Sequence, residues 1–332
     1  MIRRTACLIS QSDQPIRNQA IELHLMESLP EDTALLFLSQ SSPAVVLGGK
    51  QNQEDTCRPQ VIQEEGVTLC RRISGGPACY LDEGTLSYAL ILPRAEFHAG
   101  KQLSLLGETL KSLGIPCGLA WGACLGLNGR ILSTGSFHKR DGSALHHGAI
   151  PLDSDQGRAA LYLTDKGLLP FLNLKQVNPG LTMQALEESL FEHFGQLYGQ
   201  EPVWMTESML DHRSVEDWVQ RLSRESWINP PVQDCTLKID ERFPWGQISL
   251  CIAQEGGIIR YVRIFSDALE DVLFNTVEQF LVGCPYLIGA IGSRFDQKLT
   301  GLRDPRLMQI ARDLCNLICG HIRQNDRNQE ER

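Results

Sequence analysis

The chain has 332 residues, 42% of them hydrophobic and 21% charged, with a formal net charge of −9. That length exceeds one typical core and predicts two domains, and the composition excludes a disordered chain. The acidic balance argues against nucleic acid or an anionic membrane as partner, since both call for a basic face, and no apolar run reaches the ~18 residues of a spanning helix.

Met1-Ile2-Arg3-Arg4 leads into only a short apolar stretch, Ala6 to Ile9, which makes a poor secretory signal. The eleven cysteines are scattered without a CxxC pair, so reduced thiols, a cytoplasmic location and no zinc site are expected.

In chain order, apolar residues at helical spacing predict a helix from Asn18 to Leu29, stopped by Pro30. Short apolar runs at Leu35 to Leu38, Ala44 to Leu47, Val67 to Arg72 and Leu86 to Leu92 predict strands, the last two joined by a turn-rich segment from Ile73 to Gly84. Leu103 to Leu113 reads as a helix ending at Gly114. Leu125 to Leu132 and Ala144 to Leu152 read as strands, and Met183 to Tyr198 as the clearest amphipathic helix.

Pro202, Pro230 and Pro231 flank a helical stretch around Val215 to Leu222 and mark a boundary. Beyond it, Gln247 to Cys251 and Ile258 to Phe265 form a hairpin across Glu255-Gly256-Gly257. Helices at Leu269 to Leu281 and Pro305 to His321 follow. The expected division is a catalytic-type domain at 1–205, a linker at 206–233, a small α+β domain at 234–323 and a frayed polar tail at 324–332. The fold class is α/β with a mixed sheet.

Chemistry concentrates in Arg71-Arg72-Ile73-Ser74-Gly75-Gly76-Pro77-Ala78-Cys79-Tyr80-Leu81-Asp82-Glu83-Gly84. Two arginines at a strand end, followed by a Ser-Gly-Gly turn, bring guanidinium groups and backbone N–H groups around one spot, as a site for phosphate or carboxylate requires. A tight turn with two solvated arginines is the plain alternative. His146 and His147 are adjacent on a strand and point to opposite faces, so they do not make a metal site. The spacing of Trp204, Trp218 and Trp227 fits packing at the domain junction.

The arginine and glycine segment resembles the lipoate-protein ligase A family signature RRxSGGGAVxHDxGN, and Val45-Val46-Leu47-Gly48-Gly49-Lys50-Gln51-Asn52 resembles the strand and turn that precede it there. Asn128-Gly129-Arg130, Ser133 to Ser136 and His146-His147-Gly148 follow in the family's order and spacing. Residues 239–246 and 264–269 are similar to the accessory C-terminal domain of its long members.

The resemblance implies a fold shared with biotin ligases and octanoyltransferases. It also implies activation of lipoate by ATP and Mg2+ to a lipoyl-adenylate, then transfer to a lysine of a lipoyl carrier domain, of the glycine-cleavage H type or the 2-oxoacid dehydrogenase type. By position, Arg71, Arg72, Pro77, Ala78, Cys79 and Tyr80 would contact nucleotide. Ser74, Gly75, Gly76, Ile131, Gly135, Ser136, His147 and Gly148 would line the lipoate site.

Several positions depart from the family pattern. Ile131 stands where the family has its essential lysine, and Thr134 where glycine is usual. Pro77 replaces the third glycine and has no N–H to give. Leu81 and Thr85 replace His and Asn, and Ala123-Cys124 stands at an Asn-Asp pair. The family's Lys-Gly segment survives only as Lys166-Gly167, and Lys139 or Lys166 are the lysines that could substitute from loops. Three readings follow: a ligase with a rearranged site, a cysteine-dependent lipoyl or octanoyl transferase using Cys117 or Cys124 activated by nearby His146, His147 or Arg71, and a binding protein that has lost catalysis.

Overall fold

In the computed structural model, residues 1–140, 142–165, 167–231 and 233–330 are described, the last six of them by backbone alone. The chain divides into two compact units, Met1–Pro230 and Pro231–Arg332.

The first unit opens with β1 (Arg4–Ile9), α1 (Pro15–Ser28), β2 (Thr33–Ser39), β3 (Ala44–Leu47) and the short helices α2 (Gln53–Thr56) and α3 (Pro59–Glu64). β4 (Thr68–Arg71), β5 (Cys79–Leu81), β6 (Thr85–Pro93) and α4 (Ala99–Ser112) follow. Then come β7 (Gly118–Leu119), β8 (Leu125–Leu127), β9 (Arg130–Ser133), β10 (Ser136–Lys139) and β11 (Ser143–Pro151). The unit closes with α5 (Gln156–Tyr162), α6 (Met183–Tyr198), β12 (Val203–Trp204), α7 (His212–Leu222) and α8 (Glu225–Ile228).

Its main sheet runs β10-β11-β6-β2-β1-β12. β1 is parallel to β2 and β12, and the remaining pairs are antiparallel. The period of two along β6 explains how the sheet is covered on both sides. Leu86, Tyr88, Leu90 and Leu92 join a core with Leu105, Leu106 and Leu110 of α4 and Leu186, Leu190 and Phe194 of α6. Ala89 and Ile91 face the opposite core, built with Ala20 and Ile21 of α1 and Val215, Trp218 and Leu222 of α7. Burying each such Leu contributes ~1.5–3 kcal/mol. Residues 206–230, read from sequence as part of a linker, thus carry two helices, and α7 packs on α1.

Beside the main sheet stands a three-stranded sheet, β4-β3-β5. β5 lies inside the segment predicted as turn; its three residues are too few to show a period, and the Ser-Gly-Gly-Pro ahead of it dominates the local signal. The single strand predicted from Leu125 to Leu132 is instead the hairpin β8–β9. It turns at Asn128-Gly129, where φ is 50° and 77°, the left-handed pair that an Asn-Gly dipeptide favours. β1 was read only as a short apolar stretch.

The second unit is an antiparallel sheet of β13 (Leu237–Phe243), β14 (Gly246–Glu255) and β15 (Ile258–Ser266), followed by α9 (Asp271–Leu281), α10 (Ile288–Leu299) and α11 (Pro305–Glu330). The sheet's buried side chains Ile248, Leu250, Ile252 and Ile264 pack with Phe274, Ile291, Phe295 and Leu314 of the helices. α10 escapes a sequence reading because Gly289 and Gly292 weaken its propensity and only Ile291 and Phe295 are buried in it. The tail expected to fray from Gln324 continues α11 as far as Glu330, and 331–332 lie outside the described residues.

Not all cysteines are reduced thiols as composition suggested: Cys235 and Cys251 form a disulfide, their Cα atoms 5.4 Å apart. Cys251 is on β14, opposite Lys238 in the register, and Cys235 lies two residues before β13. Among the described residues no helix is long and apolar enough to cross a membrane.

Candidate functional site

The Ser-Gly-Gly-Pro loop between β4 and β5 is held against the turn after β3. The Gly49 N–H donates to the Ser74 carbonyl at 2.7 Å, and a Cβ on Gly48 would stand 1.9 Å from the Gly76 carbonyl oxygen, so only glycine fits there. The two arginines predicted to hold phosphate are divided by this packing. Arg71 Nη1 donates to the carbonyls of Gly48 and Gln51, each at 2.7 Å, and Nε to that of Ile228 at 2.8 Å. Arg71 therefore clamps the turn to α8 and lines neither cavity described below. Arg72 points inward. Its Nη2 donates to the carbonyls of Gly75 at 2.8 Å and Pro77 at 2.7 Å, and its Nε reaches Ser74 Oγ at 3.2 Å.

α1, the main sheet and this loop enclose a cavity of about 710 Å³, its open mouth included. Gln19 and Glu22 come from α1, Phe37 and Tyr88 from the sheet, and Arg72 and Pro77 from the loop. Of the residues predicted to bind lipoate, Gly135, Ser136, His147 and Gly148 line it. Gly148 keeps the wall open, since a Cβ there would fall 1.9 Å from the Thr134 carbonyl and 2.7 Å from the Tyr88 hydroxyl. A second cavity of about 350 Å³, its open mouth included, is lined by Tyr80, Ser154, Gln156 and Phe171, and it shares Cys79 and Ala149 with the first. Of the predicted nucleotide residues, Pro77 thus faces the first cavity, Tyr80 the second and Cys79 both, while Ala78 is buried in the core beneath with Val45 and Leu47.

Within the first cavity, Glu22 accepts from His147 Nδ1 at 2.8 and 3.0 Å, and His147 Nε2 stands 2.5 Å from Ser74 Oγ. A carboxylate at Nδ1 requires a proton there, so in the neutral ring Nε2 is a lone pair that accepts from the Ser74 hydroxyl. Ser74 is 0%, His147 7% and Glu22 8% exposed. His146 points the other way. The Tyr88 hydroxyl donates to the Thr134 carbonyl at 2.9 Å, which leaves its oxygen to accept from His146 Nε2 at 3.2 Å. Burial, and then the like charge of His147, push His146 down to about 3.

Burial pulls the Arg72 guanidinium below the usual arginine value, opposed by neighbouring thiols and Glu22. Among the described residues no carboxylate lies within ion-pairing distance of Arg72, and its hydrogen bonds go to neutral carbonyls and one hydroxyl. A guanidinium so placed in a cavity wall favours an anionic guest.

Ile131 is 3% exposed and lines neither cavity; its N–H donates to the Pro170 carbonyl at 2.8 Å. Its bridge partner Phe171 lines the second cavity. Neither thiol proposed as nucleophile is activated. Cys117 Sγ lies 3.6 Å from the Gly107 carbonyl, outside both cavities, and burial pushes its pKa up. Cys124 is 1% exposed, and burial raises it to about 11 against the lowering effect of the Gly135 N–H and Arg72. Lys139, considered as a substitute lysine, holds its ammonium 4.9 Å from the Phe97 ring centroid, and Lys166 lies outside the described residues.

A magnesium ion here would have to draw most of its ligands from nucleotide phosphates and water. Among the described residues no group of three His, Cys, Asp or Glu side chains could hold a metal. Ala123 and Cys124 supply no carboxylate, and Asp82 is used up by the Thr85 and Ser154 hydroxyls and the Gly84 and Asp155 N–H groups. Sequence reasoning missed Glu22, Gln19 and Tyr88. The available signal was in the first helix, where the polar Asn18, Gln19 and Glu22 stand on adjacent positions and one turn apart among the buried apolar Ala20, Ile21, Leu23 and Leu25.

The lipoyl protein ligase A/B catalytic domain family matches residues 14–195, and the bacterial lipoate protein ligase C-terminus matches 233–300. P. falciparum LipL1, solved in complex with lipoate, superposes with a TM-score of 0.85 at 21% identity, over 95% of this chain and 99% of that one. A bipartite lipoate protein ligase from Thermoplasma acidophilum, described with its E2 lipoyl domain, gives 0.61 at 17% identity over 70% and 99%. A lipoate-protein ligase A bound with ATP gives 0.59 at 16% over 70% and 100%. At these identities the superpositions show a shared fold.

Proposed function

Because the chain belongs to the lipoyl protein ligase A/B family, we propose that it binds lipoate, or an acyl chain of similar size, in the larger cavity and delivers the acyl group to a lysine of a lipoyl carrier domain. The observation that carries this is Arg72, a guanidinium that has no carboxylate partner among the described residues and stands in the wall of a largely apolar cavity. Such a site suits an amphipathic acid, with the chain against Phe37, Val46 and Leu81 and the carboxylate at Arg72. LipL1, a similar structure, holds lipoate, and the archaeal ligase is described with its E2 lipoyl domain. A carrier of that dehydrogenase type, or of the glycine-cleavage H type, is the partner this reading requires.

ATP is the second substrate on this reading, and the smaller cavity, whose lining shares Cys79 and Ala149 with the larger, is its candidate site. Adenylate formation by this chain is slow on this account. Ile131 offers no cation, Pro77 offers no N–H, and each lost donor costs ~3 kcal/mol, about a hundredfold in rate. What Arg72 and the apolar lining of the larger cavity still do is exclude water, hold the chain and fix the carboxylate.

A second reading, a lipoyl-binding protein without ligation, draws on one observation: among the described residues no lysine lines either cavity. Calorimetry with lipoate tests the shared claim. The wild type binds, and Arg72→Gln weakens binding at least tenfold; absence of binding by wild type refutes it. Incubation with MgATP and an apo lipoyl domain, read by intact mass, separates the two readings.

A further inference from the structure

Glu22, His147 and Ser74 have the arrangement of an activated nucleophile: a hydroxyl within reach of an imidazole that a carboxylate orients. We propose that they form an acyl-transfer relay, with Ser74 taking the acyl group of an activated medium-chain substrate, a thioester or ester, as an oxygen ester. The proposal rests on the reading of the larger cavity as an acyl site, and it supplies a route that needs neither the missing lysine nor a metal.

Four features support it. The distances, 2.5 Å from Ser74 Oγ to His147 Nε2 and 2.8 Å from His147 Nδ1 to Glu22, are those of a working hydrogen-bonded chain. Arg72 Nε, 3.2 Å from Ser74 Oγ, favours negative charge on that oxygen. The N–H groups of Gly75 and Gly76, immediately after the serine, donate to no acceptor among the described residues, although both residues are buried. Buried donors without partners next to a nucleophile are what an acyl oxyanion needs. Finally, Arg72 and His147, which bond to Ser74, and Ser136, which bonds to Gly75, line the larger cavity while Ser74 itself is 0% exposed just behind them, so bulk water is kept from the ester and acylation requires these side chains to part.

The step balances without a redox partner. Ser74 Oγ bonds to the acyl carbon while its proton moves to His147 Nε2. The carbon–sulfur bond of a thioester breaks, and the departing thiolate takes that proton from His147. In the second half a neutral lysine amine of the carrier attacks the ester, the amide forms, and Ser74 Oγ recovers a proton by way of His147. Glu22 acts as a positioning residue that stabilises the imidazolium formed transiently within each half.

The test uses the octanoyl thioester of N-acetylcysteamine as probe on the full chain, acid quench, intact mass and peptide mapping. An octanoyl adduct on Ser74 that survives neutral hydroxylamine is expected. Ser74→Ala loses it, Ser74→Cys restores an adduct that hydroxylamine removes, and Cys117→Ala keeps it. Glu22→Gln slows acylation about a hundredfold or more and moves the pH profile of its rate, which a merely structural carboxylate would not do. Calorimetry with octanoate accompanies each variant as a check that the cavity is intact. A wild type that binds octanoate but forms no adduct, or an adduct that maps to Cys79 or persists in Ser74→Ala, overturns the relay and leaves the cavity reading standing. Failure of both binding and acylation overturns both.

Discussion

Acidification should destabilise the first unit through one side chain, His146. Its ring is buried between Phe137, at 4.6 Å between centroids, and Tyr88, nearly perpendicular at 5.4 Å, and its Nδ1 has no hydrogen-bond partner among the described residues. The folded state therefore keeps it neutral, with its pKa lowered to about 3, whereas in the unfolded chain it titrates near 6.5. Between those values the unfolded state binds a proton that the folded state refuses. This His146 contribution makes stability fall as pH drops, by ~1.4 kcal/mol per unit well below the upper value. From pH 7 to pH 5 the loss comes to ~2 kcal/mol, roughly a 1 M shift of a urea midpoint. His146→Phe keeps an aromatic ring in the slot and removes the titrating group, so the variant should lack this increment. Urea unfolding of both proteins at the two pH values, followed by Trp218 and its neighbours, measures the difference. Equal losses in wild type and variant would refute the argument.

Three further outcomes follow. Gly48→Ala puts a methyl 1.9 Å from the Gly76 carbonyl, which displaces the arginine loop; lipoate affinity should fall at least tenfold by calorimetry, and unchanged affinity contradicts the packing described. Ile131→Lys should raise carrier lipoylation with MgATP at least tenfold over wild type, read by intact mass, if the missing cation limits adenylation; no gain locates the defect elsewhere. Reduction of Cys235–Cys251, which closes a loop with a sequence separation of 16, should destabilise the second unit by ~3 kcal/mol with no change in lipoate binding to the first.

The parts of the chain that sequence reasoning reached are those with a long local period. The Met183–Tyr198 helix matches to the residue, because its buried Leu186, Leu190 and Phe194 recur every four residues and Thr182 caps its start. The β14–β15 hairpin was legible from Gly256 and Gly257, both at positive φ. β5 and β7, with three and two residues, exist because neighbours pair with them, and nothing in their own residues announces a strand.

The site shows the same division. Gly135, Ser136, His147 and Gly148, named in the sequence through their resemblance to a family's local motifs, line the larger cavity. The roles of Arg71 and Arg72 were not separable in sequence, since what parts them is tertiary: Arg71 reaches the Ile228 carbonyl 157 positions away, while Arg72 folds back on its own loop. Glu22 lies 125 positions from His147, and no pattern within either segment ties the two.

Lipoate soaked into crystals of the wild-type protein would test the central claim most directly. The account predicts density for the acyl chain in the cavity between α1 and the main sheet, with the carboxylate on Arg72. Lipoate bound elsewhere, or a chain in that cavity with its carboxylate turned away from Arg72, would contradict it.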